Sequence, residues 1–152
     1  MIRRNEPFEE TNSNQNPQAN RDFTKILRAA RPFWDVFLED KETHTARGLL
    51  AARNGRAYTA DLSFNDRRSR VRLIITLHTK DTLSSSQVRS LLRLQGRTDG
   101  LSSIVIDEEN RALQIRSHAV LPNSDAAKKV VSEVVEDTLA VLDDDILTDL
   151  TS

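Results

Sequence analysis

Two stretches of this chain repeat with a period of two. In the first, Tyr58, Ala60, Leu62 and Phe64 alternate with Thr59, Asp61 and Ser63; in the second, Val71, Leu73, Ile75 and Leu77 alternate with Arg72, Ile74, Thr76 and His78. That period belongs to strands with one buried and one wetter face, as in an antiparallel sheet. Asn54-Gly55 precedes them, and both residues tolerate positive φ, which predicts a type I′ hairpin between strands over 45–53 and 56–64. The turn "NDRRS" (65–69) then leads into a third strand over 70–79.

The flanking segments change period. Phe23, Ile26, Leu27, Ala30, Phe33, Trp34, Phe37 and Leu38 follow the 3–4 spacing of a helix that Asn20 can cap, with a kink or restart at Pro32. Ser84 and Gln87 have capping-box spacing before Val88, Leu91, Leu92 and Leu94, and Gly96 is a natural stop. Strands follow over 101–107 and 111–121, the latter ended by Pro122. Asn123 or Ser124 caps a last helix bearing Ala127, Val130, Val131, Val134, Thr138, Leu139, Leu142 and Ile146. The order is helix, three strands, helix, two strands, helix, which predicts a single α+β domain with a five-stranded antiparallel sheet packed with helices. Residues 1–20 read as a disordered polar tail, 21–147 as the domain and 148–152 as a C-terminal tail.

The 152 residues suit one core. With no cysteine, disulfides, thiolate metal sites and a thiol nucleophile are excluded. The net charge of −1 is not that of a strongly basic nucleic-acid binder. No apolar run approaches the roughly 20 residues of a membrane span, and the first residues lack a secretory signal's apolar region; a cytoplasmic protein is expected. Seventeen arginines outnumber five lysines, and after Lys129 no basic residue follows while seven acids do, among them Asp143, Asp144 and Asp145. At the end of the last helix those aspartates oppose the helix dipole.

No nucleophile elbow or other enzyme motif is present. Glycines at 48, 55, 96 and 100 leave no Gly-rich phosphate loop. His78, His118 and Asp61 could share the polar face of the sheet, but no short ligand spacing supports a metal site. No catalytic residue, metal or cofactor is expected. Arg67, Arg68, Arg70 and Arg72 cluster at one turn and are the candidate for nucleic-acid binding, the second reading; no aromatic residues are interleaved among them for base stacking.

Three segments carry a resemblance: "FTKILRAARPFWDVFL", "GLLAARNGRAYTADLSF" with "RVRLIITLH", and "LSSIVIDEENRALQIRSHAVLPNSDAAKKVVSEVVEDTLAVL". In order and hydrophobic pattern they resemble the type III secretion chaperone-like fold and, within it, the YbjN-type bacterial family. The resemblance implies a non-catalytic homodimer built around the central helix, chaperone- or adaptor-like, that binds a segment of a partner protein and has a regulatory role. A five-stranded sheet cannot bury all its apolar positions under the helices, so a second copy is expected to cover Val88, Leu91, Leu92, Leu94, Ile104 and Ile106. Phe33 and Trp34, with Arg67, Arg68, Arg70 and Arg72, are the candidate partner-binding residues, and strand addition is the expected mode.

Overall fold

The computed structural model describes residues 16–97 and 100–151; the expected tail falls, over residues 1–15, outside them. Helix α1 (Pro17–Ala30) leads into four strands, β1 (Trp34–Asp40), β2 (Thr45–Ala51), β3 (Ala57–Asn65) and β4 (Arg70–His78). Helix α2 (Ser85–Gln95) precedes β5 (Ser102–Asp107) and β6 (Ala112–Val120), and α3 (Ala127–Leu142) and α4 (Asp145–Leu150) close the chain. The sheet has six strands in the order β1-β2-β3-β4-β6-β5, every neighbouring pair antiparallel.

The sixth strand is β1, which the sequence reading placed inside the first helix. Pro32 has no N–H to continue the helical ladder, and α1 stops two residues before it. Trp34 and Val36 then pair with Leu50 and Gly48. A bulge between Val36 and Leu38 inserts Phe37 and shifts the register, so the apolar residues of β1 do not alternate. The helix cap also moves. Asn16, not Asn20, accepts the N–H groups of Gln18 (2.9 Å) and Ala19 (3.3 Å), and Pro17 occupies the first helical position, where a missing N–H is harmless.

The first hairpin closes differently from the expected type I′ turn. Gly55 has φ of 88°, while Asn54 is not among the positive-φ residues. Gly55 N–H bonds to Ala52 C=O (3.2 Å) and Ala52 N–H to Arg56 C=O (2.8 Å). This is a three-residue loop in which glycine supplies the left-handed step.

The helices pack on one face of the sheet. Ala46, Leu50, Ala60, Leu62, Phe64, Val71, Leu73, Ile75, Leu77, Leu113 and Ile115 are buried there, with α3 across β4, β5 and β6 and α1 against α3. The β-branched residues Val130, Val131, Val134, Val135 and Val141 of α3 are all buried, which offsets their weak helix propensity. Beneath α3 runs a polar chain. Ser102 Oγ donates to Asp137 Oδ2 (2.5 Å), Ser117 Oγ lies 2.5 Å from Ser102 Oγ, and Thr138 Oγ1 lies 2.6 Å from Ser117 Oγ.

The aspartates after Leu142 do not simply crowd a helix end. Asp143 accepts Asn54 N–H (3.1 Å), and Asp144 accepts Ile146 N–H (3.0 Å) as the cap of α4. Asp144 also reaches Arg97 at 3.6 Å, and Arg53 reaches Glu136 at 3.2 Å. Part of the chain's acidic end thus meets its arginines within the fold, and its anions stand at the favourable end of the next helix. The ordered body extends past residue 147, because Thr151 is buried and bridges Thr79.

Candidate binding face

Strand register puts the remaining side chains of the sheet on its other face. One row across all six strands reads Leu38, Arg47, Asp61, Ile74, Arg116 and Ser103. Arg47 Nε donates to Asp61 Oδ1 (2.6 Å) and Nη2 to Oδ2 (3.3 Å). This hydrogen bond and the charge behind it raise the Arg47 pKa above its ordinary value. Arg116 is held by Gln114 at 2.8 and 2.6 Å. The next row carries Asp40, Thr45, Ser63, Arg72 and His118.

This face is polar with apolar islands. Leu38 and Leu49 stand on it exposed, and Phe37 is exposed at the bulge beside them. Leu38, Arg47, Asp61, Ser63 and Ile74 help line a depression of about 510 Å³. The outer edge of β1 pairs with no strand among the described residues. The opposite edge is covered, since α2 packs against β5 and Gln95 Oε1 accepts the Ile104 N–H at 2.7 Å.

The expected partner-binding residues separate into two places. Arg67 and Arg68 are exposed at the β3–β4 turn, which Asn65 Oδ1 organises by accepting both their N–H groups (3.1 and 3.3 Å). Arg70 and Arg72 follow on the open face, where Arg70 Nη1 lies 3.3 Å from His118 Nδ1. Trp34 is only 3 % exposed and belongs to the core. Phe33 is half-buried and, with Arg28, Pro32, Ala127 and Lys128, lines a cavity between α1 and α3.

Of the residues expected to meet a second copy, Leu91 and Leu94 are buried within the single chain, while Leu92 is 56 % exposed. Val88, Ile104 and Ile106 are half-buried. Ser84 and Gln87 form the anticipated capping box, and Gly96 follows α2.

His78 and His118 share the open face with Asp61 but are not brought together. His118 pairs with Arg72, six positions along β4 from His78, a separation of about 20 Å. His44 is buried in the β1–β2 turn against Phe23 and Phe64, with Asn20 Oδ1 2.8 Å from its Nε2. Among the described residues no group of three His, Cys, Asp or Glu side chains is placed to hold a metal ion. None of the helices described is long and apolar enough to cross a membrane. The buried pair Ser102–Asp137 escaped the sequence reading, because a lone serine and one aspartate among many acids carry no local signal.

No protein-family model matches the chain, and no curated protein matches it in sequence. Four solved chains are similar to it, among them these two. One is a chain of the ExsC–ExsE complex, at 17 % identity and a TM-score of 0.47, covering 86 % of this chain and 92 % of that one. The other is a chain of the HopA1–SchA chaperone–effector complex, at 16 % identity and a TM-score of 0.45, covering 88 % and 97 % respectively. Similarity of this size leaves the function to be read from the chain's own residues.

Proposed function

We propose that the chain is a non-enzymatic protein-binding module, chaperone- or adaptor-like, that takes an extended segment of a partner protein along the free edge of β1. The observation that carries the reading is that edge itself, unpaired among the described residues and flanked by exposed Phe37, Leu38 and Leu49. An added strand gains main-chain hydrogen bonds from such an edge, and side-chain pockets beside it supply selectivity. Asp35, Glu39 and Asp40 make the edge acidic and blunt indiscriminate pairing. The YbjN-type assignment belongs to the same proposal and rests on element order and hydrophobic pattern. So does the homodimer, for which exposed Leu92 with Val88, Ile104 and Ile106 is the surface within reach of a second copy.

Affinity capture of the full chain from its source lysate, with and without nuclease, tests the reading. A specific protein that survives nuclease and is lost with a Leu38→Asp, Leu49→Asp variant is expected. A retained set that vanishes with nuclease overturns it in favour of nucleic acid, the reading favoured by the arginines at the β3–β4 turn. Sedimentation of wild type and Leu92→Asp tests the dimer. A monomeric wild type removes the homodimer, and an unchanged dimer in Leu92→Asp removes this surface.

A further inference from the structure

Where β3 turns into β4, Ser63, Phe64, Asn65, Arg68, Arg70 and Arg72 line a cavity of about 270 Å³. Register explains the convergence. Ser63 pairs with Arg72 and Asn65 with Arg70, so both arginines stand on the open face two residues apart. The turn between them and β3 folds Arg68 back over the same end. The lining holds three guanidiniums, an amide and a hydroxyl, and no acid.

The arginines also differ from some elsewhere in the chain. Arg31, Arg47, Arg53 and Arg97 each have a carboxylate within 4.0 Å, whereas no such pair involves Arg68, Arg70 or Arg72 among the described residues. A guanidinium only donates, so His118 holds Arg70 Nη1 through its Nδ1 lone pair, which fixes that side chain without neutralising it. Arg70 Nε is buried with no hydrogen-bond partner among the described residues. Asn65 spends its carbonyl on the turn, which leaves its NH₂ as a donor.

We propose that this cavity binds the phosphate of a small phosphomonoester. A phosphomonoester carries nearly two negative charges and three terminal oxygens, which suits several converging guanidiniums. The volume accommodates a phosphate while the rest of the molecule projects outward. A nucleic-acid strand fits less well, because it needs a track of free cations, and Arg47 on the same face is already paired with Asp61. The ester could belong to a free metabolite-sized molecule or to a phosphorylated side chain, and the inference does not depend on strand addition at β1.

Calorimetry and amide NMR on the full chain test this with inorganic phosphate, glycerol phosphate and a short phosphoserine peptide. Shifts at Ser63, Arg70 and Arg72 are expected with phosphate. Arg72→Gln should weaken binding about tenfold, the usual loss for one charged hydrogen bond, and Arg67→Gln, outside the cavity, should leave it unchanged. Tighter binding of glycerol phosphate points to a free small molecule, and of the peptide to a phosphorylated protein. Acetate competing as well as phosphate at equal ionic strength overturns the proposal. So does equal weakening by Arg67→Gln and Arg72→Gln, with tight binding of single-stranded DNA. If Arg72→Gln shifts the thermal midpoint, Ser63→Ala replaces it, and no change in phosphate affinity from Ser63→Ala then counts against the site.

Discussion

The indole of Trp34 fills the place where Gly48 would carry a side chain. A Cβ at Gly48 would stand 2.7 Å from both Cε2 and Nε1 of Trp34, and would also clash with the backbone oxygen of Asp35. The edge strand is therefore seated on β2 through a tryptophan on a bare backbone. Gly48→Ala should destabilise the fold by about 1–3 kcal/mol, the cost of overpacking a closed core. Urea unfolding followed by Trp34 fluorescence reads this; an unchanged midpoint would show that β1 can move aside freely.

The Ser102 hydroxyl donates to the buried Asp137 carboxylate, which leaves Ser117 to donate to Ser102. Removing the first link costs a hydrogen bond to a charged group in a buried site. Ser102→Ala should lose about 1–3 kcal/mol of stability, measured by denaturant titration at neutral pH. A loss near zero would mean that water replaces the hydroxyl at Asp137.

Ser84 accepts Gln87 N–H at 3.2 Å, and Gln87 Oε1 accepts Ser84 N–H at 2.8 Å. Ser84→Ala should cost about 1 kcal/mol, and Ser84→Asp should restore most of it. Thermal denaturation of the pair separates loss of the cap from a change in the loop before α2, because the aspartate rescues only the former.

Asp107 is held below its ordinary pKa by the side-chain amide of Asn110 (2.8 Å) and then by its backbone N–H (3.2 Å). A carboxylate depressed on folding contributes stability above its unfolded pKa, and that contribution is lost as pH falls through the folded value. Asn110→Ala should raise the Asp107 pKa toward the ordinary range and reduce the part of the acid-side stability loss that this turn supplies. Carboxyl NMR titration follows it directly; an unmoved Asp107 would assign the depression to the backbone N–H alone.

Strands β3 and β4 were legible because each alternates over a buried face, as Leu62 and Phe64 or Val71 and Leu73 do, and β2, β5 and β6 because Asn54-Gly55, the turn at 108–110 and Pro122 bound them. The first strand was not, since Phe33, Trp34, Phe37 and Leu38 also satisfy helical spacing and the bulge at Phe37 destroys the period of two. The arginine cavity was half visible. Arg68, Arg70 and Arg72 are neighbours in sequence, but His118 joins them only because β6 lies beside β4, a non-local pairing that no local pattern encodes. Burial of Trp34, Leu91 and Leu94 likewise depends on which element covers them, and apolar character alone does not distinguish core from contact.

The contrast between the two margins of the sheet, one unpaired among the described residues at β1 and the other met by α2 and Gln95 at β5, sets a limit on assembly by edge pairing. A fibre built by edge pairing needs two sticky margins per subunit, so that each newcomer offers a fresh one. Among the described residues β1 offers one such margin, while at β5 the Ile104 N–H is already taken by Gln95. A peptide that joins at β1 therefore ends the run of edge pairing there, and any further copy has to be met by side chains on α2 and β5 rather than by backbone.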